Sequence, residues 1–374
     1  MKTPWDNQVS ASPEAAVAIK ARSQTPLIAN PAALGRIGVF HLNGVGDLIF
    51  SLPALLALRQ LFPQAHITSI LRPYLQDLLA PTGLVDEILL RPEKTARREA
   101  PGFLLELRRA RFELALLFSQ SLSANVYALL SGAPIRVGFV DTIFPQLLNP
   151  VLNLRGITSV GKLLYLVEQL GARPAKLDYV GLLKPSFQQQ AKVTALLQEM
   201  GAEKGRLAVI SFGEGSKRPY PYKVWGREKH VAVGKHLARR GWQPMVIGSK
   251  GEAAEAALLA EEIGEGAFSV AGRTSLGELA ELIGRAELFV GIDSGPTHIA
   301  AALGVPLVAI YGPTDPTVTG PQGNNHIILH HPRECGPCVT PTCEDRPCLA
   351  AIGAEEVITA VDQLLGDTSE KKSE

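Results

Sequence analysis

Short apolar runs alternate with longer amphipathic segments along the chain. The runs occupy residues 36–42, 67–71, 87–90 and 114–118, then 207–212, 244–248, 287–292 and 306–312. Between them apolar residues recur at helical spacing, as at Leu48, Leu52 and Leu55, or Leu276, Leu279 and Ile283. Apolar strands bounded by Gly and Pro, in alternation with helices, predict parallel sheets covered on both faces. The alternation breaks between about residues 177 and 204, where Pro174 and Pro185 precede a charged helix over 187–200 that ends at Gly201. The pattern therefore predicts an α/β protein with two Rossmann-like domains facing across a cleft, and a ligand at the carboxyl ends of both sheets. The expected division is an N-terminal extension over 1–35, a first domain over 36–182 and a linker helix over 183–204. A second domain follows over 205–353, then a C-terminal helix and disordered tail over 354–374.

Composition narrows the class. The 374 residues suffice for two domains, and 46% hydrophobic with 20% charged residues is the balance of a globular protein. A formal charge of +1 argues against a dedicated nucleic-acid binder. The N-terminal stretch lacks the apolar centre of a signal peptide, and no apolar run approaches bilayer-spanning length, so a cytoplasmic location is expected. The polar segment after Leu365 is expected to be disordered.

Two strand-to-helix turns carry candidate chemistry. In the first, Gly44 and Gly46 permit tight turning and close approach to a ligand, and Asp47 stands where a helix begins. Its carboxylate can cap that helix, or it can act as a general base toward a hydroxyl. Taken alone, the segment favours the cap. Pro53 should kink the helix or mark a restart capped by Ser51.

In the second, Asp293-Ser294-Gly295-Pro296-Thr297-His298 follows an apolar strand, with Pro296 suited to the first helical turn. The unpaired N–H groups of such a helix start form an anion site that can cradle a diphosphate. Ser294 and Thr297 could add hydroxyl donors. His298 could donate to a phosphate or pack under the turn. Further on, two prolines stiffen residues 310–316 and project Thr314 and Asp315 at a strand end. That segment is either a simple Asp-Pro turn or a ligand-bearing edge.

Four cysteines, Cys335, Cys338, Cys343 and Cys348, fall within fourteen residues. Four thiolates at this spacing could enclose one structural Zn or Fe ion. The other readings are reduced thiols packed in a loop and disulfides formed after purification.

Taken in order, four stretches resemble glycosyltransferase family 9, the ADP-heptose:lipopolysaccharide heptosyltransferase family. They are residues 44–55, residues 222–225 around Lys223, residues 293–298 and residues 311–316, within a resemblance that spans about 36–365. The resemblance implies a GT-B fold, with an acceptor-binding first domain and a second domain that binds the donor nucleotide. It implies inversion at the anomeric carbon without a metal, and it makes Asp47 the catalytic base. It places Lys223 on the donor phosphate and assigns the diphosphate to Asp293, Ser294, Gly295, Thr297 and His298, with Thr314 nearby. Glu252, in a segment similar to the family's strand end near the nucleoside, is a weaker candidate for the ribose. Lys217 and Arg218 are further cationic candidates whose plain reading is solvated loop charge.

The implied partners are a nucleotide-diphosphate sugar, ADP-heptose above all, and a lipid-linked saccharide of the lipopolysaccharide core or a related glycolipid. Peripheral contact with the cytoplasmic face of the inner membrane would follow, because such an acceptor is anchored there. The Arg-rich stretch over 91–111 could meet anionic headgroups, though the residues by themselves favour a solvated amphipathic helix of mixed charge. Rival functions are a GT-B transferase of another nucleotide sugar, a UDP-sugar 2-epimerase and a non-catalytic sugar-nucleotide-binding protein. An epimerase would need further carboxylates and histidines, and no clear set is visible. Asp47 together with Lys223 argues against a purely binding role.

Overall fold

A computed structural model describes residues 27–28, 34–41, 44–93, 97–140, 142, 144–149, 151–152, 158–202, 205–213, 223–338, 343 and 345–370. The chain divides into two compact units. One comprises residues 1–42, 53–71 and 85–177, and the other residues 43–52, 72–84 and 178–374. The second unit thus takes in three segments that the pattern assigned to the first domain, residues 43–52, 72–84 and 178–182.

The first sheet is built from β1 (Arg36–His41), β2 (His66–Leu71), β3 (Glu87–Leu90), β4 (Leu114–Leu117), β5 (Ile135–Phe139) and β6 (Val151–Leu152), in the order β3-β2-β1-β4-β5-β6. Helices α1 (Val45–Leu61), α2 (Gln76–Leu79), α3 (Ala100–Arg109), α4 (Leu122–Leu130) and α5 (Ser159–Gln169) fall between and after these strands. All the strand pairs are parallel. On one face Phe40, Ile70, Ala115 and Leu117 pack with Phe103 and Leu107 of α3 and with Ala124 and Ala128 of α4.

The chain continues with α6 (Phe187–Glu199), β7 (Arg206–Ser211), α7 (Arg227–Arg239), β8 (Trp242–Ile247), α8 (Ala253–Ile263), β9 (Phe268–Ser269), α9 (Leu276–Arg285) and β10 (Leu288–Ile292). It ends with α10 (Gly295–Ala302), β11 (Leu307–Tyr311), α11 (Pro316–Thr319), β12 (His326–His330), α12 (Pro347–Ala350) and α13 (Ala354–Glu370). The second sheet runs β12-β11-β10-β7-β8-β9, again parallel throughout. Counted from its own first strand, this is the order of the first sheet. In both, the strand order reverses between the first and fourth strands, at β1/β4 and β7/β10. That crevice is where doubly wound sheets hold ligands.

The central strands are buried on both faces, which is why they read as continuous apolar runs. The charged helix expected as a linker is α6. It belongs to the second unit, where Arg285 of α9 donates to the Gln190 carbonyl and Lys192 pairs with Glu278. Ser186 and Gln189 close a capping box at its start. The C-terminal helix continues to Glu370, beyond the point where disorder was expected. Leu364 and Leu365 pack on the core, and that burial carries the helix past Gly366.

Candidate functional site

Asp293 follows β10, one of the two strands at the second sheet's crevice, and is 6% exposed. Lys223 Nζ lies 2.5 Å from its Oδ2, and the Thr314 hydroxyl donates to the same oxygen at 2.5 Å. His298 Nε2 lies 3.6 Å from Oδ1, too long for a hydrogen bond but close enough to favour the ionised carboxylate. Burial opposes ionisation of Asp293. The imidazole, the ammonium and the hydroxyl outweigh it and hold the carboxyl well below the usual carboxylate range.

Each partner is delivered by a fixed element. Trp225, two residues after Lys223, is buried and donates its indole N–H to the Ile352 carbonyl at 2.9 Å. That anchor sets where Lys223 can reach. Thr314 stands at the end of β11, beyond Pro313. His298 lies in the first turns of α10, edge-on to Phe50 at a centroid distance of 4.6 Å.

The start of α1 packs directly against the start of α10. A Cβ on Gly295 would come within 2.7 Å of Val45 Cβ, and one on Gly46 within 3.0 Å of His298 Cδ2. At Gly295 only a glycine permits this approach, whereas the contact at Gly46 is with the edge of a ring. The packing places the first turn of α1, which carries Asp47, against the first turn of α10, the helix that follows Asp293, within the second unit. Asp47 is exposed and its Oδ2 accepts the Gly44 N–H at 3.0 Å. The carboxylate therefore acts on the helix from its third position, returning to the residue before the helix, as the acidic arm of a capping box does. The helix runs unbroken through Pro53. Ser51 starts no new helix, and its hydroxyl donates back to the Leu48 carbonyl at 2.6 Å.

Ser294, Gly295 and Pro296 are half-buried at the entrance of α10. Backbone N–H groups at this end carry the positive pole of the helix. Thr297 does not face outward. It is fully buried, and its hydroxyl donates to the Ile292 carbonyl at 2.5 Å. His298 packs under the turn, one of the two roles its position allowed. Glu252 is committed locally, with Oε2 accepting the Ser249 N–H at 2.7 Å in a capping box. Lys217, Arg218 and Tyr222 lie outside the described residues.

The cysteines Cys335, Cys338, Cys343 and Cys348 form no disulfide. Among the described residues, no group of three or more His, Cys, Asp or Glu side chains is placed to hold a metal ion. No helix among the described residues is long and apolar enough to cross a membrane.

The sequence profile of glycosyltransferase family 9 (heptosyltransferase) matches residues 103–348, about two thirds of the chain. Lipopolysaccharide heptosyltransferase 2 of Escherichia coli K12 is 28% identical over 307 residues, covering 79% of this chain and 87% of that protein. Lipooligosaccharide heptosyltransferase 2 of Haemophilus influenzae is 33% identical over 163 residues, covering 41% of this chain and 46% of that one. Matches to the first such curated relatives thus span less than half of their length. The solved structure of the E. coli ADP-heptose lps heptosyltransferase II superposes with a TM-score of 0.73 at 23% identity, covering 89% of this chain and 99% of that one. That likeness establishes the α/β GT-B fold. Asp47 precedes the span matched by the profile. With its paired Rossmann sheets and a profile match over most of its length, the chain belongs to glycosyltransferase family 9.

Proposed function

We propose that this protein is an inverting glycosyltransferase that moves a sugar, heptose from ADP-heptose, onto the lipopolysaccharide core or a related glycolipid, without a metal in the transfer step. The observation that carries the reading is the juxtaposition of an exposed carboxylate, Asp47, with the Lys223–Asp293–Thr314 cluster and the entrance of α10. The names of the relatives support the choice of donor and acceptor.

In this reading the acceptor hydroxyl gives its proton to Asp47 as its oxygen attacks the anomeric carbon. The bond to the diphosphate breaks on the opposite face. The charge developing on the leaving group is met by the Lys223 ammonium and by the N–H groups at the start of α10. Asp293 does not touch the donor. It is buried, and it holds Lys223 and Thr314 in place for the diphosphate. A second carboxylate fixing the ammonium costs some attraction for phosphate, but it removes the need to order a long flexible side chain upon binding.

The acceptor would be presented at a membrane surface. Arg98, Leu105, Arg108 and Arg109 are exposed on and just before α3. Their mix of cationic and apolar side chains supports peripheral contact with anionic lipid on the cytoplasmic side. Sedimentation with anionic vesicles, lost in an Arg98/Arg108/Arg109→Ala variant, tests that part.

A thermal-shift panel of ADP-, UDP- and GDP-sugars tests the donor. ADP-heptose at a hundred times its Kd should stabilise the fold by about 2.7 kcal/mol. Stabilisation by UDP- or GDP-sugars instead would replace the donor, and none by any member would remove the transferase reading.

A further inference from the structure

The turn that carries Thr314 has a second neighbour, away from Lys223. Residues from Gly312 to Thr317 wall one side of a cavity of about 260 Å³, and Cys335, Cys338 and Cys348 line it with His330 and Arg333. Cys335 is exposed, and Cys338 and Cys348 are half-buried. Three of the thiols thus share one cavity, and burial pushes the Cys348 thiol up, with the Cys335 and Cys343 thiols pushing it the same way. Neighbouring thiols at the mouth of a cavity can exchange with a small disulfide.

The cysteine segment is fastened to the turn at two points. The Cys338 N–H donates to the Pro313 carbonyl at 2.7 Å. Leu349, next to Cys348, is buried against Gly312, where a Cβ would lie 2.5 Å from its Cγ. Lys229 holds the same stretch from behind by donating to the carbonyls of Leu349, Ala350 and Ile352. One residue beyond Pro313, the Thr314 hydroxyl grips Asp293, which grips Lys223. A displacement at Cys338 is thus passed through three hydrogen bonds to the ammonium assigned to the donor phosphate.

We propose that Cys335 and Cys348 are a thiol–disulfide exchange site for small disulfides, and that their oxidation weakens nucleoside diphosphate binding at the Asp293 cluster. The Cys335 thiolate, the accessible one, attacks a sulfur of the reagent RSSR, forming a mixed disulfide and releasing RS⁻, which takes up a proton. Cys348, losing its proton, then attacks the Cys335 sulfur and expels the second RSH. Two protein thiols are oxidised to one disulfide and RSSR is reduced to two RSH. The bridge would join two of the residues that line the cavity walled on its other side by Thr314. The effect on binding rests on the donor-site reading above, whereas the exchange chemistry does not.

The full-length reduced protein is incubated with oxidised glutathione and followed by intact mass, peptide mapping and ADP titration calorimetry. A Cys335–Cys348 bridge should form, ADP affinity should fall on the order of tenfold, and dithiothreitol should restore it. The Cys335→Ser/Cys348→Ser variant should bind ADP like the reduced wild type and ignore glutathione disulfide. The proposal is overturned if the native thiols resist reagent that modifies them after denaturation, if a stoichiometric metal ion co-purifies and protects them, or if the bridge forms while ADP affinity stays constant. Absence of ADP binding by the reduced protein, with the bridge still forming, would instead refute the donor-site reading.

Discussion

Two aspartates stand at two strand-to-helix turns of this protein, and they do opposite things. Asp293 follows β10, is buried, and is held ionised by Lys223, Thr314 and His298. Asp47 stands in the first turn of α1, after β1, and is exposed, with one oxygen on the Gly44 N–H. Both turns follow crevice strands, and glycines pack them against each other. The difference teaches that position at a switch point does not assign a role. Surroundings do. A carboxylate pinned far below its usual pKa cannot take a proton at neutral pH, so Asp293 is suited to positioning. Of the two, only Asp47 stands where a substrate hydroxyl can reach it.

The comparison breaks most easily at Asp293. Asp293→Ala leaves the Lys223 ammonium without its carboxylate, and it should cost about 3 kcal/mol of stability, read by denaturant unfolding, along with donor binding. The pH dependence has a definite sign. The folded pKa is lowered from an ordinary value of 3.8, so this contribution is complete above that value and is lost only as pH falls through the lower folded one. The stability gap between wild type and variant should therefore stay constant from neutral pH down to about pH 5 and close only in stronger acid. A gap that narrows near pH 6 would mean that the carboxyl is not held as described.

Thr314→Val removes one charge-assisted hydrogen bond at little change in volume. It should cost about 2 kcal/mol and weaken ADP binding without altering the pH of half-maximal turnover. The interface between the two turns gives smaller effects. Gly295→Ala drives a Cβ into the rigid Cβ of Val45 and should cost roughly 1.5 kcal/mol. Gly46→Ala meets only the edge of the His298 ring, and alanine favours the helix by about 1 kcal/mol, so stability should barely move. Equal losses at both glycines would show that the helix starts do not pack as described.

Much of this was legible in the sequence, for identifiable reasons. Strands buried on both faces, such as β4, β7, β10 and β11, announce themselves as apolar runs. β5 does not, because Arg136 and Gly138 interrupt it. β12 ends in histidines and is only half-buried, as an edge strand is. β6 and β9 are two residues long and have no period to detect. Of the site, the anion-binding entrance of α10 could be read from the order of Asp, Ser, Gly and Pro. The inward turn of Thr297 could not, because burial of a hydroxyl depends on which way its helix rolls against the sheet. Glu252 had a readable signal, since Ser249 with an acid three residues later is a capping box. The Lys223–Asp293 pair joins residues 70 positions apart, and no local pattern contains it.

The most direct test separates the base from the cap at Asp47. Asp47→Asn keeps an oxygen for the Gly44 N–H while removing the negative charge and the ability to take a proton. The variant should unfold within about 0.5 kcal/mol of wild type and bind ADP with unchanged affinity. Its sugar transfer should fall by about 10²- to 10⁴-fold. Unchanged transfer, or a loss of transfer fully accounted for by lost ADP binding, would contradict the assignment of Asp47 as the base.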